Sequence, residues 1–264
     1  MKTVPVVFKA ATFCGTLLIS ACGGSSSSGN SADIAKPPVT NVPVPEIRIL
    51  VLGQSIASNC NEKMFGPSPN VFQVDSSGGV KAASDPFDWA DCKQGSMWMP
   101  LGKQLIDAGI ASKVTFMPIG VGATTVADWQ QGGRAFAKLN SAIDVVKRNN
   151  IQFDYAFWHQ GSSDAGLKRE VYASRLTGVL AYVSKNVKIS SWLIALHSRC
   201  NGIWDREIEA AQLSISTLPG DRIFVGANNN SLDETYRFDS CHLNVKGQDA
   251  MANLWLEAIK NAKE

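Results

Sequence analysis

Short apolar runs rich in β-branched residues alternate along this chain with longer segments whose apolar positions recur every three to four residues. The runs at 46–52, 113–118, 153–158, 191–197 and 222–225 predict strands. In the first, Ile47, Ile49, Leu50, Val51 and Leu52 leave almost no polar position, the pattern of a parallel strand covered on both faces. Between and after the runs, helical spacing links Phe136, Leu139, Ile143 and Val146, then Tyr172, Leu176, Val179 and Val183, and finally Met251, Leu254, Ala258 and Ile259. Strands alternating with amphipathic helices predict an α/β domain, a three-layer α/β/α sandwich around a roughly five-stranded parallel sheet. Residues 59–95, rich in Pro, Gly, Ser and Asp, follow neither period, so a long irregular excursion is expected beside the first strand.

The pattern changes at the amino terminus. Lys2 and Lys9, an apolar stretch at 10–19 and the small residues before Cys22 make residues 1–22 a targeting segment, too short to serve as a spanning helix of the mature fold. Its ending, Ile19-Ser20-Ala21-Cys22, resembles the lipobox of bacterial lipoproteins, which implies cleavage before Cys22 and a lipid on its sulfur. An ordinary secretory cleavage nearby is the alternative. Residues 23–45, GGSSSSGN followed by a Pro-rich stretch, predict a flexible linker, and 46–264 the single folded domain. The chain would then be exported and anchored to a membrane only through that lipid, facing the periplasm or the cell exterior. Formal net charge is +2, and without Lys2 and Lys9 the basic and acidic residues number 23 each. A neutral domain gives no electrostatic basis for binding nucleic acid. Nothing in the pattern indicates an oligomeric state.

Candidate chemistry gathers where the predicted strands end. Ser55 follows the first strand across Gly53, at the edge where open α/β sheets place their sites, although a serine there is also a natural helix N-cap. Only three histidines are present, His159, His197 and His242. His242 lies in Asp239-Ser240-Cys241-His242-Leu243, where a carboxylate three residues earlier can reach the imidazole and leave its other nitrogen to accept a proton. A solvated loop pair is the plainer reading of the same residues. The turn containing Gly120, Val121, Gly122, Ala123 and Thr124 could aim backbone N–H groups at an oxyanion, and Gln160 offers an amide donor after the third strand. Neither a Walker lysine nor G-x-G-x-x-G is present, and the scattered histidines predict neither metal nor cofactor. G-Q-S-I-A partly mimics the G-x-S-x-G elbow of α/β-hydrolases, but there the serine follows several strands and here it ends the first. Trp89, Trp98, Trp129 and Trp204 are candidates for stacking on sugar rings or for core packing.

Four blocks, GQS at Ser55, GVGATTVADW from Gly120, WHQGSSDA from Trp158 and DSCHLN from Asp239, resemble in order and spacing the SGNH hydrolases, with their flavodoxin-like sheet. They are most similar to the branch holding sialate O-acetylesterases and acetylxylan esterases. The resemblance implies a carbohydrate O-acetylesterase acting on acetylated carbohydrate, with Ser55, Asp239 and His242 as triad. It also implies an oxyanion hole made of the Ser55 N–H, the Gly122 N–H and the Gln160 amide. Two positions depart from the branch. Ser162 stands where it usually has Glu, and Ala123 replaces the second glycine of a Gly-Gly pair, which leaves open whether Gly122 or Ala123 faces the oxyanion. An exported acyltransferase using the same triad and a non-catalytic glycan-binding lipoprotein are the other classes the motifs allow.

Cysteine usage adds one expectation. Of six cysteines, Cys14 leaves with the signal and Cys22 takes the lipid, so four remain in an oxidising setting. Three pairings are possible. Cys60 and Cys92 bracket the excursion near Ser55, while Cys200 and Cys241 both belong at the carboxyl edge of the sheet, so proximity favours Cys60 with Cys92 and Cys200 with Cys241.

Overall fold

The computed structural model describes residues 43–216 and 222–262. The targeting segment at 1–22 and most of the 23–45 linker lie outside the described residues. All five expected strands are present: β1 (Glu46–Gly53), β4 (Lys113–Gly120), β5 (Phe153–His159), β6 (Ile189–Leu196) and β9 (Ile223–Asn228). They form one parallel array, β4-β1-β5-β6-β9, so the first strand in sequence lies between the second and the third.

The excursion is less irregular than its composition suggests. It contributes β2 (Val71–Val74), parallel to β4, and β3 (Val80–Ala82), antiparallel to β2, so the sheet is seven-stranded and mixed rather than five-stranded and parallel. The hairpin between them closes on Asp75, whose Oδ1 accepts from the Ser77 and Gly79 N–H groups at 2.8 and 2.9 Å, a local turn that Asp favours.

Helices cover both faces, as the alternation of elements requires. Against one face lie α1 (Trp98–Asp107) and α5 (Val245–Asn261), whose Trp98, Leu101, Met251 and Trp255 pack on Ile47, Ile49 and Val51. Against the other lie α2 (Phe136–Arg148), α3 (Arg169–Asn186) and α4 (Arg206–Ser216), with Leu139, Tyr172 and Ile208 on Leu50 and Leu52. Alternate residues of β1 therefore serve two cores, which is why its sequence has no polar period. Burying each such side chain contributes roughly 1.5–3 kcal/mol. α1 and α4 are absent from the sequence expectation because each presents only three or four buried apolar positions, and α1 opens with Pro100 in its first turn. A small ribbon, β7 (Arg199–Cys200) and β8 (Ile203–Trp204), stands at the carboxyl edge of the sheet.

Candidate active site

β1 has β4 on one side and β5 on the other, so the strand order reverses at β1, the place where open α/β sheets hold their sites. Gly53 pairs with Gly120 and with His159, and a Cβ on Gly53 would come within 2.3 Å of the His159 carbonyl oxygen, so only glycine lets the three strand ends approach this closely. Gln54 is extended and Ser55 begins a single 3-10 turn, Ser55–Ala57. No side chain caps that turn, which sets aside the N-cap reading of Ser55. Among the described residues the Ser55 N–H and Oγ make no hydrogen bond, and the side chain is partly exposed.

The loop before α5 is strongly constrained. Arg237 and Leu243 form a bridge, the Phe238 N–H donates to the His242 carbonyl at 3.0 Å, and Ser240 turns the chain at φ 64°. Within the loop, Asp239 Oδ1 accepts from the Cys241 and His242 backbone N–H groups at 3.1 and 2.6 Å, and Oδ2 lies 2.6 Å from His242 Nδ1. Partial burial pushes the Asp239 carboxyl up, but the His242 side chain and these backbone donors outweigh it and hold the group below its ordinary value. The carboxylate thereby fixes Nδ1 as the protonated nitrogen and leaves Nε2 as the acceptor. Nε2 is buried and has no partner among the described residues.

Two further devices hold this loop. Both expected disulfides are present, Cys60–Cys92 and Cys200–Cys241, and the second joins the residue next to His242 to β7. Arg237, buried, donates to the carbonyls of Cys241, Asn229 and Leu232, and burial pulls its guanidinium down to about 10. The His242 loop is also tied to the Ser55 turn. Asn61, a residue that motif reading passed over, donates to the Ile56 carbonyl and accepts from the Leu243 N–H, a contact spanning 182 positions that no local pattern signals.

The remaining predicted residues differ from expectation in one respect each. Gln160 is fully buried, and both hydrogens of its amide are engaged, by the Thr124 carbonyl at 2.8 Å and by Asp164 Oδ2 at 2.6 Å. It therefore holds the Thr124 turn and has no free amide hydrogen, contrary to the expectation for it. The reason is Asp164, a buried carboxylate whose Oδ2 also accepts from Val126 N–H at 2.8 Å and which burial pushes above its ordinary range. The Gly122 N–H donates to Asp91 Oδ2 at 3.1 Å, and Lys138 Nζ pairs with the other oxygen of that carboxylate at 2.7 Å. Ala123 is left-handed, φ 52°, which accounts for glycine being usual there, and its N–H has no partner among the described residues. Ser162, in place of the usual acid, accepts from Gln54 Nε2 at 2.9 Å, while Gln54 Oε1 accepts from Gly161 N–H, so the residue before Ser55 is fastened to the third block.

Of the tryptophans, Trp89, Trp98 and Trp129 are buried and pack in the core rather than facing a sugar. Trp204 is half-buried beneath Arg206, whose guanidinium lies 3.3 Å from the ring centroid. The exposed aromatic beside the candidate base is Phe238, its ring 6.1 Å from that of His242 and inclined by 30°.

Within the mixed sheet the five expected strands run parallel in the order β4-β1-β5-β6-β9, with helices on both faces and Ser55 at the switch point, which matches the SGNH-like α/β hydrolase fold. The sequence profile of the carbohydrate esterase, sialic acid-specific acetylesterase family matches residues 52–261, and the chain belongs to that family. It is a carboxylic ester hydrolase. Comparison with curated proteins finds no match. Among solved structures it is similar to a protein of Arabidopsis thaliana, TM-score 0.64 at 15% identity over 82% of this chain and 99% of that one. A family 3 carbohydrate esterase of Clostridium thermocellum gives 0.53 at 16% over 83% and 98%. A catalytic mutant of an acetylxylan esterase of Geobacillus stearothermophilus gives 0.51 at 13% over 81% and 94%. At such identities these likenesses bear on the fold.

Proposed function

We propose that this esterase removes acetyl or another short acyl group from carbohydrate through an acyl-enzyme on Ser55. Ser55 Oγ attacks the ester carbonyl as His242 Nε2 takes its proton, and Asp239 stabilises the imidazolium that forms. The imidazolium then gives the proton to the departing sugar hydroxyl. Water, deprotonated by His242, releases the acid and restores Ser55. The oxyanion is held by the Ser55 N–H and by the turn at Gly122 and Ala123, where the unengaged donor is the Ala123 N–H. Gln160 acts behind this turn by fixing the Thr124 carbonyl.

The observation that carries this reading is the 2.6 Å contact between His242 Nδ1 and Asp239, in a loop fastened to the Ser55 turn. Acetate release from a panel of acetylated glycans, xylan and sialosides among them, tests both reaction and substrate. Release by the wild type and none by Ser55→Ala is expected, and equal release by both would overturn the assignment. We also propose that the domain is exported and held by a lipid on Cys22. The lipobox-like Ile19-Ser20-Ala21-Cys22 and the two disulfides support that location. Mass spectrometry of the mature amino terminus should find Cys22 lipidated, and an unmodified terminus beyond Ala21 would mean a soluble secreted protein.

A further inference from the structure

Asn61 is fully buried, yet it belongs to the excursion and carries none of the four motifs. Its Nδ2 donates to the carbonyl of Ile56 at 2.9 Å, and its Oδ1 accepts from the N–H of Leu243 at 3.1 Å. Ile56 is the residue after Ser55, and Leu243 is the residue after His242. One planar amide therefore spans the backbone beside the proposed nucleophile and the backbone beside the proposed base. Its orientation is determined, since a flipped amide would set donor against donor and acceptor against acceptor.

The frame around Asn61 is rigid. Its backbone exchanges both hydrogen bonds with Gly95, at 3.0 and 2.9 Å, and Cys60 beside it is bonded to Cys92. On the other side the Glu62 N–H donates to the Leu243 carbonyl at 3.0 Å, so Leu243 is gripped through both of its peptide groups. Asn59, two residues earlier and equally buried, provides a contrast. Its amide bonds the N–H and carbonyl of Phe87 at 3.0 and 2.9 Å and also donates to the Ala90 carbonyl at 3.4 Å, with no side-chain hydrogen bond to the Ser55 turn or the His242 loop.

We infer that Asn61 is a positioning residue for the triad, its side-chain amide setting the separation of the Ser55 turn from the His242 loop. This rests on the Ser55–His242–Asp239 assignment and adds to it the part that registers the two halves. Displacement of a reacting group by about 1 Å costs on the order of 10²-fold in rate, whereas binding of a small ester depends little on that separation.

The test compares Asn61→Asp, which keeps an acceptor for Leu243 but cannot donate to Ile56 when ionised, with Asn61→Leu, which is neutral, similar in shape and makes neither bond. Asn59→Leu is the control, and all are made in the full chain. For each folded variant, kcat and KM for a short acetyl ester, the rate of fluorophosphonate labelling of Ser55, and Tm are measured. Expected are a fall in kcat of about 10²-fold in the Asn61 variants, with KM within about threefold of the wild type. Labelling should slow in parallel but reach full stoichiometry, and Asn59→Leu should lower Tm without a comparable loss of kcat. If Asn61→Asp does not fold, Asn61→Leu decides. Unchanged kcat and labelling rate in a folded Asn61 variant, KM moving as far as kcat, or an equal kcat loss in Asn59→Leu would overturn the inference. Full activity in Ser55→Ala, run alongside, would instead indicate that the triad assignment itself fails.

Discussion

Two kinds of histidine meet at the carboxyl edge of this sheet. His159 ends β5 and His197 directly follows β6; both are fully buried, and their rings meet edge to face at 4.9 Å. Burial, with the charge of Arg237 added, drives His159 down to about 3, and burial with neighbouring positive charge drives His197 well below its ordinary value. Among the described residues neither ring nitrogen of His159 has a hydrogen-bond partner, and His197 has only the Asn229 amide at Nδ1. His242, on a loop, has a carboxylate at one nitrogen and its other nitrogen unengaged. A place at the strand ends is therefore not sufficient for proton transfer. In the proposed mechanism the base is the ring with a carboxylate beside it, whereas the two strand-end rings are kept neutral by their dry surroundings.

The widest separation between the two kinds should come from removing the reacting groups. Ser55→Ala or His242→Ala should lower kcat by on the order of 10⁵-fold, while His159→Phe, if folded, should leave it within about tenfold. A large loss in His159→Phe with intact Tm would bring that ring into the mechanism. Asp239→Asn should cost on the order of 10⁴-fold, because the imidazole loses the anion that sets its tautomer. Cys200→Ser should lower Tm and reduce kcat by about tenfold, since the base loop would keep Arg237 and Asn61 but lose its covalent tie. Unchanged kcat in that variant would show that the bridge stabilises the domain without placing the base.

A smaller effect is expected at Gln160. Gln160→Ala removes a buried donor from the Thr124 carbonyl and from Asp164, whose Oδ2 keeps only the Val126 N–H among the described residues, so a stability loss of about 1–3 kcal/mol with at most a tenfold fall in kcat is expected. A fall of about 10²-fold with unchanged stability would make Gln160 an oxyanion donor after all. The smallest effect concerns acid. Unfolded His159 binds a proton near 6.5 and folded His159 only near about 3, so its contribution to stability is complete above 6.5 and is lost as pH falls toward about 3. Scans of Tm against pH should show the wild type losing stability relative to His159→Phe across that window. A constant difference would mean that folded His159 binds its proton as readily as unfolded His159.

Much of this was legible in the sequence because it rests on local pattern. The apolar run of β1, the helical spacing of α2, α3 and α5, and the Asp239-x-x-His242 spacing are visible within a few residues of one another. The pairing of Cys200 with Cys241 followed from placing two segments at one sheet edge. β2 and β3 were hidden because strands of four and three residues lie within a stretch otherwise read as loop. Gln160 misled for a different reason. Its place at a strand end was legible, but whether its hydrogens were free depended on Asp164 folding back onto it through a single turn. Asn61 and Arg237 left no trace, because their partners are backbone groups, which every residue carries.

The central claim is that Ser55 is the nucleophile activated by His242. Fluorophosphonate labelling of the full-length protein, followed by peptide mapping, tests it most directly. One adduct on Ser55 is expected, absent in Ser55→Ala and formed far more slowly in His242→Ala. An adduct on another serine, or labelling of Ser55 at the same rate without His242, would contradict the account.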